Sequence, residues 1–148
     1  MRIRVTIAFL AVAVSSFADE TNRADMLTET VAVAHQRLQA HDYSNAVRRL
    51  FCLTNETEVA AAAVHLQRPK CLALYEQLFA QLVSIKPTLD GEPARAASFK
   101  CPEPIVVGTN SLNRYDEVEI MFLFNGGQWI FHDPSFERRL GRRMTSKK

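Results

Sequence analysis

The chain lacks most of the signatures that declare a chemistry outright. It has no glycine-rich phosphate loop, no Gly-x-Ser-x-Gly elbow and no His-Glu-x-x-His pair, so no motif points to nucleotide hydrolysis, a serine esterase or a zinc peptidase. Its three cysteines include no Cys-x-x-Cys pair, so their spacing spells neither a dithiol redox motif nor a zinc site. His35 and His65 stand singly in helical stretches with no second ligand at metal spacing; no metal and no other cofactor is expected. There is no internal repeat and no low-complexity segment. The longest apolar run, Val5 to Val14 with Thr6 as its one polar residue, is about ten residues, well short of the roughly twenty that span a bilayer.

That run has another use. Arg2 and Arg4 precede it and Ser16-Phe17-Ala18 follows it with small residues at cleavage positions, the layout of an export signal, so residues 1–18 are expected to be removed and the mature chain to start at Asp19. The expected location is periplasmic or secreted. Without Arg2 and Arg4, sixteen basic residues face sixteen acidic ones. The neutrality hides an asymmetry, because Glu137 to Lys148 holds six of the basic residues and one acidic residue. An acidic body with a basic, flexible tail is expected; the tail could touch an anionic membrane surface, while export argues against nucleic acid. About 130 mature residues suit a single domain, residues 19–136, with a real core. An oxidising compartment would allow one disulfide among Cys52, Cys71 and Cys101, with three pairings open and buried thiols the alternative; a bridge is slightly favoured. Asn55-Glu56-Thr57 is a glycosylation triplet, relevant only in a eukaryotic host.

From Asp25 to Ala40, Met26, Leu27, Val31, Ala34 and Leu38 recur at helical spacing. His41-Asp42 interrupts, and Ala46, Val47, Leu50 and Phe51 continue a second helix that Asp42 or Ser44 can cap, which makes a helical hairpin. Asn55 with Glu58 resembles a capping box before the alanine-rich Val59 to Leu66. Pro69 fits a first helical turn, and Leu72, Tyr75, Leu78, Phe79, Leu82 and Ile85 form the strongest apolar stripe, predicting a helix from about Pro69 to Ser84. After Asp90-Gly91 the pattern shortens. Ala96 to Cys101, Ile105 to Thr109, Glu117 to Phe124 and Gln128 to His132 are candidate strands, the last two joined by an Asn-Gly or Gly-Gly turn that puts Val118, Ile120, Phe122, Trp129 and Phe131 on one face. Helices first and an antiparallel sheet after them make an α+β fold.

The helical hairpin around LQAHDYSNAVRRL, the Asp-Gly-Glu-Pro-Ala lead into the sheet and the closing EVEIMFLFNGGQWIF hairpin resemble the NTF2-like, cystatin-like superfamily. The resemblance implies helices packed into the concave side of a curved sheet, a cone whose mouth holds a ligand or partner, and a homodimer paired through sheet faces. It names Tyr75, Phe79, Phe122, Trp129 and Phe131 as core or pocket wall. RLQAHDYSNAVRRL also looks like one tetratricopeptide unit, but a lone repeat cannot bury its faces.

Enzymes of the resembled class place an acid or base in the cone. The catalytic candidates here are Asp42, His132 and Asp133. Each has a plainer role: Asp42 as a helix cap, and His132-Asp133-Pro134 as the end of a strand, where neighbouring side chains point to opposite faces. The expectation is therefore an exported binding or accessory domain for a small apolar molecule or a protein, without catalysis of its own. The alternatives are a small proton-transfer enzyme, an isomerase or dehydratase, and an interaction module acting through its sheet face or tail.

Overall fold

The computed structural model describes residues 3–108 and 113–139, with side chains from Asp19 onward. In chain order the elements are α1 (Ile3–Gln39), α2 (Tyr43–Phe51), α3 (Glu56–Leu66), α4 (Pro69–Leu82), β1 (Thr88–Asp90), β2 (Ala96–Lys100), β3 (Ile105–Val106), β4 (Arg114–Tyr115), β5 (Glu119–Asn125), β6 (Gln128–His132) and α5 (Pro134–Arg139). The fold is α+β: the N-terminal helices pack on one face of an antiparallel sheet of order β1-β2-β5-β6. Among the described residues no helix is long and apolar enough to cross a membrane.

Each helix starts where local chemistry allows it. Asp42 caps α2, its side chain accepting from the Asn45 backbone N–H; Asn55 caps α3, its Oδ1 accepting from the N–H groups of Thr57 at 2.9 Å and Glu58 at 3.2 Å. Those bonds satisfy donors that a first helical turn leaves without intrahelical partners. α4 opens on Pro69, which has no N–H to leave unsatisfied. It buries Tyr75, Leu78, Phe79 and Leu82, one continuous stripe, against the sheet and its neighbours.

The β5–β6 turn is Gly126-Gly127, with φ of +59° and +80°. Positive φ at both positions is what a two-residue hairpin turn with the right twist requires. The register that follows sets Phe122 opposite Phe131 and Phe124 opposite Trp129. These four side chains share the helix-facing side with Ala97 and Phe99 of β2. The Phe131 ring lies 5.2 Å from Phe122, 5.7 Å from Tyr75, 5.7 Å from Phe79 and 6.0 Å from Phe51, centroid to centroid, so one aromatic cluster joins both layers.

α1 is fastened to the sheet by polar contacts as well. Trp129 Nε1 donates to the Arg23 carbonyl at 2.8 Å, the Arg23 guanidinium donates to the Ala94 carbonyl at 2.7 Å, and the same guanidinium sits 4.2 Å from the centre of the Phe124 ring. A buried indole N–H needs such an acceptor. Residues shortly after Asp19 therefore belong to the packed body.

Three features depart from the sequence reading. β1, only three residues long, takes the sheet edge; Gly91, at φ +94°, turns it back onto β2. The Ile105 segment leaves the main sheet and pairs with β4 instead, because Pro102 and Pro104 cannot donate to a ladder and lead the chain off the end of β2. α5 follows β6 directly. Asp133 Oδ1 accepts from the N–H groups of Ser135 and Phe136, both at 3.0 Å, and Phe136 is buried, so Glu137, Arg138 and Arg139, expected in the tail, are helical. The remaining expected tail, 140–148, Thr109 of the expected second strand and the side chains of the expected leader lie outside the described residues.

The disulfide expected among the cysteines is not formed. Cys52 ends α2 with its Sγ 3.7 Å from the Trp129 carbonyl, Cys71 lies in the first turns of α4, and Cys101 is buried just past β2 with its backbone N–H paired to Val118. Burial pushes the Cys52 thiol up in pKa, with Arg49 acting weakly in the other direction, and burial also pushes up Cys101. Both stay protonated and behave as small packing groups.

Candidate functional site

A cleft of about 660 Å³ opens between the start of α4, the β3–β4 ladder and α5. Its apolar surface comes from Pro69, Leu74, Val107, Tyr115 and Phe136; Arg68 and Lys70 contribute positive charge, and Asp133 with Tyr75 a polar pair. A cavity of this size, mostly apolar with a few convergent polar groups, has the character of a small-molecule site.

The polar pair is well defined. Tyr75 is buried on α4 and its hydroxyl donates to Asp133 Oδ2 at 2.8 Å. Burial, and then the Asp133 charge, push the Tyr75 hydroxyl well above the ordinary tyrosine range. The other Asp133 oxygen accepts the two backbone N–H groups that start α5. Three donors thus converge on one carboxylate, which ties α4 to α5 and fixes the cleft floor. Lone pairs engaged in this way are poorly placed to take a proton from a bound molecule.

His132 does not join that pair. It sits opposite Met121 on the sheet face away from α1–α4, with Nδ1 3.3 Å from Glu137 Oε1 of α5 and no hydrogen bond formed between them. Strand alternation sends His132 and Asp133 apart. Asp42, the third candidate, lies at the α1–α2 junction outside the cleft. Hydrogen bonding by Asn45, chiefly at 2.8 Å from its side chain, and the Arg37 guanidinium at 3.0 Å hold its carboxyl below the usual carboxylate range, as befits a cap. Of the five aromatic residues assigned to a wall or core, Tyr75 lines this cleft and Trp129 a second, smaller one; Phe79, Phe122 and Phe131 pack against one another. Among the described residues, no cluster of His, Cys, Asp and Glu could hold a metal ion.

The second hollow, about 360 Å³, is edged by Arg37, Arg48 and Arg49 beside Cys52 and Trp129. Its arginines are matched by Asp42, Glu56 and Glu29 respectively, so their charge is already compensated.

One wall of the larger cleft is held by an unusual side-chain ladder. Gln77 donates from Nε2 to the Val106 carbonyl at 2.6 Å and accepts from the Val106 N–H at 3.1 Å; one turn on, Gln81 makes the same two bonds to Glu103, each at 3.1 Å. Each amide imitates a neighbouring strand, which offsets the missing sheet partners of this short segment. Gln77→Ala and Gln81→Ala are each expected to speed amide hydrogen exchange at Val106 and Glu103 respectively, roughly 2- to 10-fold for a net loss of about 0.5–1.5 kcal/mol. Unchanged exchange at both amides would mean the ladder adds nothing in solution.

Arg68, Lys70, Leu74, Val107, Tyr115 and Phe136 were not singled out from the sequence as site residues. One signal was present: Asp-Pro at 133–134 is an N-cap followed by a first-turn proline as much as a strand stop. The meeting of α4 with the β3–β4 ladder left no local trace. Compared with known proteins, the chain matches no protein-family model, no curated protein and no solved structure.

Proposed function

We propose that this chain is an exported binding or accessory module, NTF2-like in layout, that holds a small, largely apolar molecule in the cleft between α4, the β3–β4 ladder and α5 and performs no catalysis itself. The observation that carries the reading is the cleft: about 660 Å³, mainly apolar, with its central carboxylate already engaged by three donors. Proton-transfer chemistry is disfavoured because the Tyr75 hydrogen is directed at Asp133, and His132 faces elsewhere. Native mass spectrometry of the chain recovered from its own source tests the reading. A small added mass, lost on denaturation and absent from a Leu74→Trp variant that fills the cleft, is the expected result. A bare mass, with no thermal shift from any member of a small-molecule library, would overturn it.

One surface favours a second reading, self-association. On the sheet face away from the helices, Ala96, Leu123 and Ile130 form a cross-strand row, and Met121 beside them is 41% exposed. Two copies could bury these rows together. Sedimentation of wild type and Ile130→Glu decides: a dimer that the substitution splits supports pairing, and a monomer at high concentration excludes it.

A further inference from the structure

We infer that the molecule held by the cleft carries a single anionic head, a carboxylate, on its apolar body; this rests on the binding reading above and narrows its ligand class. Two cations, Arg68 and Lys70, line the cleft against one carboxylate, Asp133. That carboxylate is engaged by Tyr75 and by the start of α5, whereas Arg68 and Lys70 have no ion-pair or side-chain hydrogen-bond partner among the described residues. Contrast the smaller hollow, where every arginine is matched by an acid. An anion entering the larger cleft displaces no existing ion pair.

The charges are also segregated along α4. Lys70 and Tyr75 are five residues apart, about 7.5 Å along a helix axis, so the cations stand at one end and the Tyr75–Asp133 pair deeper in. Leu74, Val107 and Phe136 supply the apolar surface. A head placed between Arg68 and Lys70 is thereby kept away from Asp133 while the body covers apolar surface that would otherwise face water. The chain's own C-terminal segment is a poor occupant by the same test: Arg142, Arg143, Lys147 and Lys148 would bring like charge to Arg68 and Lys70.

Titration of the mature full-length chain with decanoate and with its neutral amide, decanamide, followed by calorimetry, separates the terms. Decanoate is expected to bind at least tenfold tighter, and the preference to fall below about threefold in Arg68→Gln/Lys70→Gln, whose thermal midpoint stays near wild type because both side chains are exposed. Leu74→Trp should remove binding of both probes. Equal affinity for the two probes, or a decanoate preference that survives the double substitution, overturns the anionic-head inference and leaves the binding reading standing. Binding of neither probe overturns this inference as well, and the mass-spectrometric result then decides the wider reading independently.

Discussion

Phe131→Ala is expected to destabilise the fold by about 3–5 kcal/mol, the range for truncating a large buried aromatic residue. Phe131 is 3% exposed and its ring meets Phe51 of α2, Tyr75 and Phe79 of α4 and Phe122 of β5. These neighbours come from both layers and cannot all close on the space left behind, so the cost has a transfer part and a cavity part. Urea unfolding monitored by circular dichroism gives the difference directly. Phe131→Leu, which keeps much of the volume, should recover more than half of the loss. A loss below about 1 kcal/mol for alanine would mean that the cluster is not the junction between helices and sheet.

Asp133→Ala is expected to cost about 2–4 kcal/mol, because one substitution removes the α5 cap, about 0.5–2 kcal/mol, and strands the buried Tyr75 hydroxyl, about 1–3 kcal/mol. Tyr75→Phe alone removes the hydrogen bond without stranding that hydroxyl and should cost less. The double variant Asp133→Ala/Tyr75→Phe should then be less destabilised than the sum of the singles, since they share one bond. A fully additive pair would contradict the 2.8 Å contact.

The same pair sets a pH dependence. Burial and the Asp133 charge raise the Tyr75 pKa in the folded state, so above about pH 10 an unfolded tyrosine has released its proton while folded Tyr75 still holds it. The folded state then binds more protons than the unfolded one, and stability falls as pH rises past the ordinary tyrosine value, by at most about 1.4 kcal/mol per pH unit for this group. Below that value the contribution is constant. Tyr75→Phe lacks this loss, so its disadvantage against wild type should shrink between about pH 10 and 11.5. A gap that stays constant through that interval would show that Tyr75 ionises as an ordinary exposed tyrosine.

Local chemistry was the legible part. Asp42 and Asn55 announce their helices because a cap acts through bonds to residues two and three positions on, and Pro69 announces α4 because its ring suits a first turn. The stripe on α4 and the alternation across Gly126-Gly127 could be read for a similar reason: burial on one face imposes a period of 3.6 or of 2. β1 and β4, at three and two residues, are too short to carry a period, and α5 was hidden because Asp-Pro suits a strand stop as well as a helix start.

What the amino-acid order determined by itself is therefore the α+β succession, α1 from Asp25 onward with α2, α3 and α4, and the shared apolar face of the closing hairpin, all decided by interactions within a few residues or across one tight turn. Tertiary structure alone decided which polar groups meet. Tyr75 and Asp133 are separated by 58 positions, and Gln77 and Val106 by 29, yet each pair is within hydrogen-bonding distance. Such partners are selected by how α4 lies on the sheet and where α5 turns back, and no local period encodes that geometry. The cleft is the sharpest case: its walls come from α4, the β3–β4 ladder and α5, so its shape and charge exist only once the three have packed.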